Sequence, residues 1–99
     1  MKTLTGVSAT LSAAHRSRDG QMHGHTWEIV AWWQGCPDAV ERRAALQEYL
    51  RIFDHTILND SVAWGEHLAT AILLGMECVK VEVRRPLEGI FAVAERGTP

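Results

Sequence analysis

Between residues 3 and 15, Val7, Ala9, Leu11 and Ala13 fall at every second position, separated by polar or small neighbours. That period matches the pleat of a half-buried strand, because successive strand side chains point to opposite faces. Residues 17–21 (SRDGQ) carry Asp-Gly turn chemistry, and the β-branched and aromatic run HTWEIVAWW at 25–33 follows, so the opening third reads as a β-hairpin. Residues 78–95 (CVKVEVRRPLEGIFAVAE) alternate twice around Pro86-Leu87-Glu88-Gly89 and predict a second hairpin. Between the hairpins the period changes. Pro37 suits the first turn of a helix, and Ala39, Leu46, Leu50 and Phe53 then recur at helical spacing, with Glu41, Arg42 and Glu48 largely on the other face. Asn59-Asp60 offers the start of a second helix, whose stripe is Leu68, Ala69, Ile72, Leu73 and Met76, with Gly75 marking its end.

The predicted order is ββααββ, an α+β fold in which two helices cover one face of a four-stranded antiparallel sheet, within a single domain spanning residues 1–99. At 99 residues the chain is near the low end of what buries a self-sufficient core. A four-stranded sheet also leaves two edges. Pairing edges between copies into a barrel resolves both problems, and 46% hydrophobic residues with four tryptophans leave apolar surface for such contacts.

Charge narrows the partners. The net charge of −2, with Arg42-Arg43 and Arg84-Arg85 as isolated pairs, supplies no clustered basic face for nucleic acid. No apolar run approaches membrane-spanning length and the first residues lack a signal-peptide pattern, so a soluble cytoplasmic protein is expected. Cys36 and Cys78 stand outside any CxxC pattern and are read as two reduced, partly buried thiols.

The chemistry-bearing residues are histidines. His23 and His25 sit at i and i+2 of a predicted strand, hence on one face, and Gly24 between them adds no side chain opposite. His15 ends the preceding strand, and hairpin pairing across SRDGQ brings it beside them. Three neutral imidazoles with a fourth position left open is the arrangement of catalytic zinc. HxH pairs also occur without metal, and strand-end histidines also cap backbone carbonyls. Further on, Asp54-His55 joins a carboxylate to an imidazole at the end of the first helix, where it can orient a proton-transfer group. Taken alone, the same pair equally suits a helix C-terminus, with His55 meeting the dipole.

Read together, AAH (13–15), HGH (23–25), Asp38 sixteen positions before Asp54, DHTILND (54–60) and GEHLA (65–69) resemble the 6-pyruvoyl-tetrahydropterin synthase and 6-carboxytetrahydropterin synthase family. The resemblance spans most of the chain. It implies the tunnelling fold, a ββααββ unit assembling as a homo-oligomer, a hexamer or other barrel-forming assembly, with active sites at subunit interfaces. It also implies Zn2+ on His15, His23 and His25, an acid/base pair of Asp54 and His55, and a small-molecule pterin substrate, 7,8-dihydroneopterin triphosphate or a relative.

The chain departs from that pattern in its recognition and proton-transfer residues. The family carries a cysteine shortly before HGH; here the interval holds Ser17, Arg18, Asp19, Gly20, Gln21 and Met22. Asp19 is the better substitute, since a carboxylate accepts a proton when its pKa is raised by burial, and it also suits an Asp-Gly turn. The family's pterin-anchoring glutamate aligns with Arg85, whose guanidinium only donates, leaving Glu82 or Glu88 to take over or Arg85 to favour an anion. Arg84 and Arg85 also suit a solvated turn. Glu66 matches the glutamate that opens the second helix, with Trp64 in place of the usual threonine, and Ala39 replaces the phenylalanine after Asp38. The candidate substrate-binding set is thus Glu66, Arg85 and Glu88, and the candidate catalytic set Asp54, His55 and Asp19. The alternative is a divergent zinc-binding relative that is non-catalytic or turns over another substrate.

Overall fold

The computed structural model describes residues 2–16, 20–35, 37–55, 58 and 65–97, including the backbones but not the side chains of Arg16 and His23. In chain order come β1 (Leu4–Arg16), β2 (Met22–Gln34), α1 (Ala39–Leu50), α2 (Gly65–Met76), β3 (Lys80–Arg85) and β4 (Ile90–Glu95). The ββααββ expectation holds, and the strands form one antiparallel sheet in the order β1-β2-β3-β4. β1 and β2 pair continuously from Leu4↔Gln34 to Arg16↔Met22. β2 therefore starts three residues before the aromatic run that announced it. Met22, His23 and Gly24 lack β-branched side chains, and pairing with β1 rather than local propensity holds them extended.

The period-two apolar residues face the helices. Leu11, Trp27, Ile29, Val81 and Val83 are almost wholly buried against Leu46, Leu50, Leu68, Ala69, Ile72 and Leu73 in one core. α1 packs on β1, and α2 on β3 and β4. Asp38, not Pro37, begins the first helix: its side chain accepts from the Glu41 N–H at 3.1 Å as the N-cap, so Pro37 lies outside. Ala39 is exposed, whereas Leu46 and Leu50 are buried, because α1 leans on the sheet by its C-terminal half. The Asn59-Asp60 helix start lies outside the described residues. α2 runs past Gly75 to Met76, and Glu77, at φ 54°, turns the chain away. Arg96 secures this corner by donating from Nε to the Cys78 carbonyl at 2.7 Å and from Nη2 to that of Leu73 at 3.3 Å. Cys78 is a buried free thiol whose pKa burial pushes up; Cys36 lies outside the described residues.

The segment after α1 is stitched to the outer edge of β1. The Ser12 N–H donates to Asp54 Oδ1 at 2.9 Å, the His55 N–H donates to the Ser12 carbonyl at 2.5 Å, and the Leu58 N–H donates to the Ala14 carbonyl at 2.8 Å. Further along, Arg43 donates to the Ser8 carbonyl at 3.0 Å. His55 is held at φ 57°, a left-handed conformation uncommon outside glycine. The Ser12 N–H, with help from His55, holds the Asp54 carboxyl below its usual pKa.

On the face away from the helices, Arg84 bridges Glu82 (2.6 Å) and Glu28 (3.0 Å) across β2 and β3. Trp32 lies over Gly6 so closely that a Cβ there would sit 2.6 Å from the indole. β4, the other edge, exposes Ile90, Phe91 and Val93. No helix among the described residues is long and apolar enough to cross a membrane.

Gly6→Ala should destabilise the fold by about 1–3 kcal/mol in urea unfolding, since the indole has to move. Gly24→Ala, whose methyl meets nothing within 4 Å, should stay within about 0.5 kcal/mol of the parent. Asp54 titrates lower in the folded chain than its ordinary 3.8, so its stabilising contribution is complete above that pH and fades as pH falls through the lower folded value. Melting temperatures of the parent and Asp54→Asn should therefore differ most above pH 4 and converge toward pH 2. A constant gap would show that the carboxylate charge is irrelevant to the stitch.

Candidate active site

His15 and His25 come together as the hairpin requires. Ala13 pairs with His25 and His15 with His23, which sets the three histidine positions on neighbouring rungs at one end of the sheet. The Nε2 atoms of His15 and His25 face each other at 2.9 Å. His15 is 3% exposed, the one buried polar residue among those described. Among the described residues no three ligating side chains converge, and the side chain of His23, the third ligand named from sequence, lies outside that set.

Glu88, named from sequence as a substrate contact, lies against the histidine pair. From the β3–β4 turn its Oε1 lies 3.0 Å from His25 Nδ1. This is how a carboxylate fixes the tautomer and orientation of a ligating histidine, leaving Nε2 as the lone-pair donor. Burial, then the Arg85 charge, lower the pKa of His25 despite Glu88, favouring the neutral ring that a metal needs.

Trp27, which sequence reading treated only as part of a strand, forms the floor. Its ring stands edge-on to His15 (centroids 5.5 Å apart) and His25 (5.6 Å), and its Nε1–H donates to the Ala13 carbonyl at 3.3 Å. Its position two residues after His25, on the same strand face, was the available signal. The Arg85 guanidinium lies over the same indole at 5.6 Å. Arg85 lines a pocket of about 130 Å³ with Trp27, Gly65, Glu66, Val83 and Ala92, so Glu66 and Arg85 are brought to one cavity. Glu82 is held on the opposite face by Arg84 and Lys80 and does not reach it. A wider cleft of about 360 Å³ runs past His25 and Glu88, bounded by Ser12, Gly24, Thr26 and Leu87.

Asp54 and His55 form a pair, with His55 Nδ1 3.0 Å from Asp54 Oδ2. The His55 side chain is 81% exposed, so its remaining nitrogen is open to a ligand. The pair is fastened to Ser12, three residues before His15 on β1, and a groove of about 220 Å³ beside it is lined by Thr10, Arg43, Gln47, Arg51 and Asp54. Asp19 lies outside the described residues.

No protein-family model matches the chain, and no curated protein matches it in sequence. Among solved structures, that of 6-pyruvoyl tetrahydropterin synthase from Caenorhabditis elegans is similar to it with a TM-score of 0.81, over 98% of this chain and 97% of that one, at 14% identity. With four antiparallel strands and two helices in the same order, the chain has the tunnelling fold of 6-pyruvoyl tetrahydropterin synthase.

Proposed function

We propose that this protein is a zinc-dependent lyase of the 6-pyruvoyl tetrahydropterin synthase type, acting on 7,8-dihydroneopterin triphosphate or a related pterin. The observation that carries the reading is the histidine pair: two Nε2 atoms aimed at each other at 2.9 Å, with the far nitrogen of one ring anchored by Glu88. The contact is an N–H···N hydrogen bond, and two ring nitrogens aimed at one point with a carboxylate behind one ring is also the arrangement that a cation takes over when it replaces the shared proton. The donor set fits zinc: nitrogen ligands, a carboxylate behind one of them, and His23 opposite His15 as the third. When bound there, zinc would act as a Lewis acid toward a side-chain hydroxyl of the substrate and make it more acidic.

The chain's own residues supply the rest. His55 donates from Nδ1 to Asp54, which leaves Nε2 free to accept a proton from the substrate and return it elsewhere on the molecule. Asp54 stays ionised because the Ser12 N–H binds it, so it stabilises the imidazolium that forms on His55. The left-handed backbone at His55 and the hydrogen bonds to Ser12 and Ala14 keep the pair in place against β1. Asp19 is a candidate for the second proton carrier, in the interval where the family's thiol is missing. The exposed β4 edge with Ile90, Phe91 and Val93 supports assembly of several copies around their sheets.

The purified protein should contain close to one zinc per chain by metal analysis, and Glu88→Gln should weaken zinc affinity by about 10–100-fold. With zinc bound, incubation with 7,8-dihydroneopterin triphosphate should give a new pterin by mass spectrometry, and His55→Ala should slow its formation by about 10²–10⁴-fold without loss of zinc. Full zinc occupancy with no product would leave a metal-binding relative that has lost turnover.

A further inference from the structure

We propose that the pocket between β3, β4 and the start of α2 is an anion subsite, in which Arg85 receives the carboxylate of a small planar group. The inference starts from an imbalance of hydrogen bonding. Arg85 Nε is buried and has no hydrogen-bond partner among the described residues. Its nearest carboxylate, Glu88, approaches Nη2 at only 3.7 Å and is held at 3.0 Å by His25, so the guanidinium has no closely paired anion. A buried donor left in this state calls for an acceptor from outside.

The geometry narrows the acceptor's chemistry. A guanidinium has five donors and no acceptor, and adjacent N–H groups along one edge suit the two oxygens of a carboxylate. A ligand presenting N–H groups at this point gains nothing from it. Trp27 below the guanidinium, with Val83 and Ala92 around it, makes the walls apolar, which favours a carboxylate borne on a flat ring over a strongly hydrated anion. The one carboxylate in the lining, Glu66, is exposed in the first turn of α2, where water and salt screen its charge. At about 130 Å³ the pocket is smaller than the roughly 300 Å³ at which whole-ligand sites begin. It therefore takes one end of a molecule whose remainder continues past Trp27 toward His25. The occupant is assigned as an aromatic or heteroaromatic carboxylate, and the assignment does not rest on the proposed reaction, since 7,8-dihydroneopterin triphosphate carries no carboxylate.

The test is calorimetric titration of the whole purified protein, as isolated, with benzoate, its neutral counterpart benzamide, and inorganic phosphate. Benzoate should bind at least tenfold more tightly than benzamide, and Arg85→Gln should remove the difference while far-UV circular dichroism stays that of the parent. Equal binding of benzoate and benzamide by the parent protein, a comparison that needs no variant, would overturn the subsite. Phosphate displacing benzoate at equal affinity would overturn its assignment to a carboxylate. Turnover of 7,8-dihydroneopterin triphosphate is scored separately: benzoate selectivity without turnover fails the proposed reaction alone, and turnover without benzoate selectivity fails the subsite alone.

Discussion

The antiparallel pairing of β1 with β2, unbroken over 13 residues in each strand, sets both the core and the site. Because side chains alternate, one register fixes two things together: Leu11 and Trp27 meet the helices, and His15 and His25 meet each other. A slip of one residue would expose the core and turn the imidazoles to the opposite face in the same step. The histidine pair is in this sense an extension of the hydrophobic face. The burial that stabilises the sheet also favours the neutral form of His25.

Features that depend on period and local chemistry were legible in the sequence. Alternation at Val7, Ala9, Leu11 and Ala13 located β1, and the helical stripe at Leu68, Ala69, Ile72 and Leu73 located the buried side of α2. Boundaries held less well, for identifiable reasons. Met22–Gly24 has no strand propensity and is extended by its partner, while Pro37 gave way to Asp38, whose carboxylate was the better cap. In the site, i and i+2 spacing foretold that histidines would share a face. It could not foretell Glu88, which arrives from 63 residues away, whereas Trp27, two residues after His25, lay within reach of the same spacing and was read only as a strand residue.

The electrostatics at this end of the sheet divide between two groups. Glu88 serves His25 and Arg85 at unequal distances, 3.0 Å and 3.7 Å, so the tighter partner is the histidine. Arg85 in turn favours the uncharged form of His25 across the indole. On the outer edge of β1, Asp54 is settled by a backbone N–H rather than by a cation, which leaves His55 exposed beside an ionised carboxylate. These are separate solutions: one favours the neutral form of His25, and the other holds an ionised carboxylate against an exposed imidazole.

Cys78, at the corner that joins α2 to β3, gives the fold an internal clock. Its thiol is fully covered, its ionisation is disfavoured by burial, and its own carbonyl is tied down by Arg96. A thiol in that condition reacts with reagents in solution only during the moments when the corner opens. Its modification rate therefore records how often the C-terminal end of α2 lifts from the sheet.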